Sequence, residues 1–448
     1  MRKKELCTAA IRSFPESTEQ EDSSDDDLRP DFTLVSRTGD MILEVSDESG
    51  KETFYYRVKS SCLRDASAYF ANLLGHKFSE GAKLAAAHTN LSRLYPSIGV
   101  APLDELPRVA VSDMGRISKV STIKNIMADF LRVLHGLDLH APSHSLSPPV
   151  QNLANLAIVA DRFDALPFFS RYIHRRGFLQ TMDGRARVKA AVNLSEEKVR
   201  QKLMLGLLLD YGPWVTTYSK RLLISGSVRW RDQWVDDPNG ALWWDLPYGV
   251  EDELIYRREC VLETIDSLQS HFTKLYTSGE RQCKLGYDSS SQCDSFQLGE
   301  MIRFFTRLGT IRLRSTIYDV ESPEHYNGDI DRLIDTFRQC PSYQVNGHHA
   351  HCGLRSRILP LLDLIQNQLS LDTGSLDIGI CADCWQHHRA EYAWSEAKRP
   401  LMWNRSRLTA VRKGLQQGQQ GNCCLARHIN MREMFTAVER DWTAKEAY

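Results

Sequence analysis

Between Gly39 and Leu74 the spacing of apolar residues changes twice. Met41, Leu43 and Val45 alternate with Ile42, Glu44 and Ser46, the two-residue period of a strand. Asp47-Glu48-Ser49-Gly50-Lys51 has turn composition, and Phe54 to Val58 follows as a second aromatic and β-branched run. Ser60-Ser61 is placed to cap a short helix through Cys62-Leu63. Asp65 is placed to cap a second one, in which Ala66, Tyr69, Phe70, Leu73 and Leu74 fall at helical spacing.

Beyond this stretch the period is mostly helical. Ala85-Ala86-Ala87, Leu91 and Leu94 extend a helix, and Pro96, Pro102 and Pro107 mark a loop. A Pro- and Ser-rich connector follows His135, and Pro148-Pro149 opens a helix carrying Leu153, Leu156, Ala157 and Ala160. Ala165 to His174 reads as another, with a basic end that suits a helix C-terminus. Ser195 is an N-cap ahead of Glu196-Glu197, and Val199, Leu203, Leu207 and Leu208 repeat until Tyr211-Gly212-Pro213. Leu222 to Trp230 reads as a short strand or a helix end. Trp230, Trp234, Trp243 and Trp244 lie in a loop-rich region, where tryptophans pin loops to a core. Further helices are expected over Val250–Tyr276, Gln297–Phe305, Ile330–Phe337 and Leu354–Leu369, the last with Pro360 inside it. Strand signals are few after residue 180.

The ordered series in the first third resembles a BTB/POZ domain. The residues that carry it are the hairpin, then Ala68-Tyr69-Phe70-Ala71-Asn72-Leu73-Leu74, then Phe78-Ser79-Glu80. Arg108 to Asp113 is similar to the family's next strand, Phe130 to Gly136 and Leu156 to Asp164 to its later helices. The segments Glu251–Arg258, Arg281–Gly299 and His349–Arg355 resemble a fungal group of such proteins that carries a helical C-terminal region. The resemblance implies an α+β N-terminal BTB/POZ-like domain, a short sheet with a helical cluster, followed by a mainly α-helical region. The expected divisions are an acidic tail over 1–29, the domain over 30–176 with an insertion at 81–107, a helical region over 190–415, and a Gln/Gly-rich segment with a terminal helix over 416–448.

Length suits two to three domains. With 56 basic and 57 acidic residues the net charge is −1, which gives no overall pull toward nucleic acid or an anionic surface. No run of about 18 uncharged apolar residues is present, and the basic start MRKKELCTAA lacks the apolar run of a signal peptide, so a cytoplasmic or nuclear location and no membrane contact are expected. Glu16 to Asp27 is too polar to bury, and its serines ahead of acidic residues suit phosphorylation.

One constellation carries chemistry. Cys340, His348, His349, His351 and Cys352 are followed by Cys381-Ala382-Asp383-Cys384 and His387-His388. Two thiolates at CxxC spacing can grip one metal. Joined by His349 or His351 with Cys352, they would make a structural Cys₃His zinc site that staples a small subdomain. The competing readings are cysteines packed as small apolar residues and a redox CxxC, the latter without the βαβ pattern it needs. Cys283 and Cys293 form a second candidate pair, and Cys423-Cys424 read as exposed thiols. No P-loop, GxSxG, HExxH or GxGxxG after a strand is present, so no enzyme class is indicated and no cofactor is required. The basic stretch Arg389 to Lys413, with Trp394 and Trp403, could bind nucleic acid or be a solvated helix face.

The expectation is therefore a protein-interaction adaptor or scaffold, self-associating as a homodimer or docking a partner. Within the family one such partner is a cullin of a ubiquitin ligase. Phe78 and Glu80 are similar to the hydrophobic-x-Glu motif of those adaptors, Phe78 entering a groove and Glu80 making polar contacts. A transcriptional or chromatin regulator is the alternative, against which stands the lack of Cys₂His₂ finger spacing. A metal-dependent enzyme ranks last.

Overall fold

A computed structural model describes residues 31–46, 52–118, 123–140, 147–188, 194–231, 234–235, 237, 240–285, 290–310, 326–369, 378–387, 393–394, 401–404 and 431–442. The acidic tail and the basic residues Lys398, Arg399, Arg405, Arg407 and Arg412 lie outside them, as do Cys423 and Cys424.

The chain opens with β1 (Phe32–Leu34), β2 (Met41–Ser46) and β3 (Thr53–Val58). Helices α1 (Ser60–Ala66), α2 (Ala68–Leu73) and α3 (Ser79–Leu94) come next, then β4 (Arg108–Val111). The sheet order is β1-β3-β2-β4. The β2–β3 hairpin is antiparallel, with Met41 opposite Val58 and Ser46 opposite Thr53. β4 runs parallel to β2 and β1 parallel to β3. A parallel return needs a crossover, and α1 to α3 supply it. Ser67, not Asp65, caps α2: its hydroxyl accepts the Phe70 N–H at 3.0 Å, while Asp65 sits inside α1. Gly81 lets α3 start against the preceding turn, since a Cβ there would stand 2.0 Å from the Gly75 carbonyl oxygen.

Alternation along the strands fills both faces of the sheet. Met41, Leu43, Val45, Tyr56, Val58, Val109 and Val111 point into the main core. There they meet α4 (Ile123–Leu134), α5 (Val150–Arg162) and α6 (Leu166–Arg176). Phe163 stacks on Phe70 and Phe130 at ring separations of 5.2 and 5.7 Å. The opposite face is covered by the 81–107 insertion. Ile42 packs with Leu91, Ala101 and Leu106, flanked by Phe32, Tyr55 and Tyr95. The segment expected as a departure from a compact domain is thus the second layer of this sheet.

The remainder is mainly helical: α7 (Phe178–Val188), α8 (Glu196–Leu208), α9 (Gly212–Ser225), α10 (Val250–Thr277), α11 (Ser290–Leu308), α12 (Ile330–Arg338), α13 (Leu354–Leu369) and α14 (Ala382–His387). Leu222 to Ser225 is the end of α9, not a strand. α8 is buried on all sides between α5 and α9, so one apolar cluster runs from the sheet into the helical half. The tryptophan loop is pinned as expected: Trp243 is buried, Trp234 stacks on Trp244, and the Trp230 Nε1–H donates to Glu251 at 2.5 Å. Late strands that the sequence did not signal are β5 (Leu401–Asn404) and β6 (Ala437–Asp441), a parallel pair with a bulge. Of the expected terminal helix, residues 431–436 are helical and lead directly into β6.

Candidate metal centre

After α10 the chain turns through Arg281 to Leu285, and α11 begins at Ser290. Cys283 stands in that turn and Cys293 in the first turn of α11. His349 and Cys352 come from a short 3-10 turn immediately ahead of α13. The fold brings these four together: one ligand atom from each lies within 4.8 Å of all the others, and all four residues are buried.

The separations fit a metal. Cys283 and Cys352 sulfurs are 3.7 Å apart, and His349 Nδ1 lies 3.4 Å from the Cys283 sulfur and 3.7 Å from that of Cys352. A tetrahedron with zinc–sulfur bonds of 2.3 Å and zinc–nitrogen bonds of 2.0–2.1 Å has edges of about 3.5–3.8 Å. A disulfide would hold its sulfurs about 2.05 Å apart, and no disulfide joins these cysteines. Three thiols and an imidazole, buried together at coordination spacing, therefore form a Cys₃His cluster that could hold a metal.

The surroundings fix each ligand. The Asp294 carboxylate accepts the backbone N–H groups of Gln282 and Cys283, both at 2.9 Å. The Tyr276 hydroxyl donates to the Cys352 carbonyl at 2.8 Å, and Arg357 donates to the Gln282 carbonyl at 2.9 Å while lying over the Tyr276 ring. The Asn346 side chain caps the turn that carries His349. Such supporting bonds around metal ligands orient them and tune their basicity.

The electrostatics differ among the thiols. Burial, then the neighbouring thiolate charge, pushes Cys293 up to about 12. Burial also raises Cys352. For Cys283 burial acts in the same direction, but hydrogen bonds from surrounding groups, the Leu285 N–H and the two thiols among them, outweigh it and leave the group below the ordinary thiol value. Of the three thiols, Cys283 is thus the one that ionises most readily. A divalent ion removes the mutual repulsion and lets all three ionise.

Of the residues singled out in the sequence, His349 and Cys352 are in this cluster. Cys381 and Cys384 are not: they sit at the start of α14 against α9, buried and in contact with each other. The Cys₃His set built from the CxxC is corrected to one built from Cys283 and Cys293, the pair ranked second. The reason is topological: α11 folds back along α10 and carries its thiol toward α13. His351 is exposed outside the cluster, and Cys340 packs in the main apolar core. Phe78 is 49 % exposed at the N-cap of α3, and Glu80 lies in that helix's first turn, accepting the Ser79 hydroxyl at 3.0 Å. Trp394 and Trp403 are buried, the former under the Arg257 guanidinium at 4.7 Å.

No family model matches the chain, and neither a curated protein nor a solved structure does. Among the described residues no helix is long and apolar enough to cross a membrane.

Proposed function

We propose that this protein is a non-catalytic interaction scaffold of the BTB/POZ kind, with a helical half stapled by a structural zinc ion on Cys283, Cys293, His349 and Cys352. The observation that carries the reading is the order of elements from Met41 to Leu134. A hairpin leads into two short helices, and after α3 a strand returns parallel to β2 and is followed by a long helix against the same core. That is the series the resemblance implies. The exposed Phe78 beside Glu80 supports docking of a cullin-type partner, because a large apolar side chain outside the core gains by entering a groove. The metal reading is structural because four protein groups are within reach of one ion, and a tetrahedral site that takes all four leaves no position for a substrate.

The test uses the full chain, since the core runs without a break from the sheet into α8. Binding to the N-terminal helical region of a cullin is measured with the wild type and with Phe78→Ala, alongside light scattering for self-association. Truncation of an interface anchor by about 2 kcal/mol or more would weaken binding at least tenfold. A monomer that binds no cullin overturns the reading.

A further inference from the structure

Two fates separate the described buried cysteines. Cys260 and Cys340 belong to the main apolar cluster, as small hydrophobic side chains should. Cys283, Cys293 and Cys352 form a cluster apart from that core, and they are the candidate metal ligands. Cys381 and Cys384 behave like the second set. Each is 6 % exposed, they touch each other, and they join no larger apolar cluster. Packing as hydrocarbon substitutes does not account for a pair of thiols segregated from the hydrocarbon.

Their turn is also held in advance. The Thr216 hydroxyl donates to the Ile380 carbonyl and accepts the Ala382 N–H, both at 3.0 Å. Ser219 Oγ accepts the Ile380 N–H at 2.8 Å, and the Trp385 N–H closes on the Cys381 carbonyl at 2.9 Å. The approach is so close that a Cβ on Gly212 would stand 2.7 Å from the Ala382 side chain. A CxxC held to α9 on either side of Cys381 and closed on itself by the Trp385 N–H keeps its two sulfurs together without a disulfide between them. This is the arrangement that lets two thiolates share one ion.

We infer that Cys381 and Cys384 are two ligands of a second soft-metal site, distinct from the Cys283 centre and suited to zinc. Among the described residues no third His, Cys, Asp or Glu atom completes a compact set with them, so the pair supplies two of the four positions. The inference stands apart from the interaction reading and from the first centre.

The experiment is a metal count on the full chain, purified with zinc and reductant and measured by mass spectrometry. Two zinc ions per wild-type chain are expected, one in Cys381→Ser/Cys384→Ser, and one in Cys293→Ser. A single wild-type ion that is lost in Cys293→Ser and kept in Cys381→Ser/Cys384→Ser overturns the second site and leaves the first centre standing, whereas a single ion with the opposite pattern supports the second site and overturns the first centre. Two ions retained in Cys381→Ser/Cys384→Ser overturn the assignment to these sulfurs. A Cys381–Cys384 disulfide in the reductant-treated protein overturns it as well.

Discussion

Around β2 and β3 the buried side chains are hydrocarbon and aromatic, and the buried polar ones are uncharged: Ser60, Ser67, Ser118, Ser147 and Asn155 are those described before α7. Around α8, α9 and α10 the buried groups include Arg200, Lys202, Glu251, Glu253, Arg257 and Arg258. Arg200 bonds Glu251 through both carboxylate oxygens, at 2.8 and 2.9 Å, and reaches Glu196 at 2.9 Å. Arg258 donates to the Leu223 and Ile224 carbonyls at the end of α9, and loss of hydration lowers it to about 10. The sheet half is held by area removed from water, which is non-directional. The helical half shares that apolar core and adds directed bonds among buried charges, whose members depend on one another. Shape errors in the first should cost cavities, and single deletions in the second should strand charges or thiols.

The largest effect expected is loss of the metal centre. Structural zinc in small domains contributes about 10–16 kcal/mol of apparent binding energy, and an ion held by this cluster would join segments 66 residues apart in sequence, Cys283 to His349. Chelation of the wild type, or Cys293→Ser, should lower the melting temperature. Hydrogen exchange should rise first over α11 and the start of α13, with β2 and β3 protected. Equal loss of protection across the sheet would break the comparison, by showing that both halves depend on the centre.

Next come matched core variants. Phe163→Ala removes a ring stacked on two others and should cost about 3–5 kcal/mol through the cavity it leaves. Arg200→Ala leaves Glu251 buried without its guanidinium and should cost a similar ~3–5 kcal/mol. The sharper measurement is rescue by urea denaturation. Arg200→Met/Glu251→Leu removes both charges, and Glu196 keeps the Val228 N–H, so most of the loss should return. A double variant as unstable as Arg200→Ala would mean that the pair is not the unit that matters.

This contrast also explains what could be read from residues alone. The hairpin and α10 were legible because periodicity reports one-sided burial, as with Met41, Leu43 and Val45, and α8, buried on all sides, was legible through its Ser195 start, its first-turn acids and the stop at Tyr211-Gly212-Pro213. The second layer over the sheet was not, because Ile42 is a single apolar residue in the polar register and its partners Leu91, Ala101 and Leu106 are scattered over a helix and the proline-marked loop that follows it. For the metal cluster, residue types and two of the four positions could be found, since His349 and Cys352 are near neighbours. The CxxC drew the other two because short spacing is a local signal. Cys283 and Cys293 reach the cluster through the packing of α11 on α10, which no spacing encodes. β5 and β6 were missed for the same reason, as parallel pairing is non-local.

The smallest effect expected is a pH dependence seated in the sheet half. The Lys59 backbone N–H donates to His135 Nε2 at 2.9 Å, so that nitrogen must be unprotonated, and Nδ1 carries the proton toward the Leu131 carbonyl at 2.7 Å. Burial, the dominant cause, lowers the His135 value below the ordinary 6.5, with Asp40 opposing and Lys59 reinforcing. The folded state therefore binds fewer protons than the unfolded chain below about pH 6.5, and stability present above that value is lost as pH falls toward the folded value. One such site gives a slope of at most about 1.4 kcal/mol per pH unit. His271 on α10 is lowered by burial too and adds a slope of the same sign. Urea midpoints between pH 7.5 and 5 should fall with acidification in the wild type and fall less in His135→Gln, whose amide oxygen can accept the Lys59 N–H at every pH. If His271→Gln alone flattens the curve, the acid sensitivity belongs to the helical half. The contrast would then extend to protons as well as to buried charges, with the sheet half indifferent to pH.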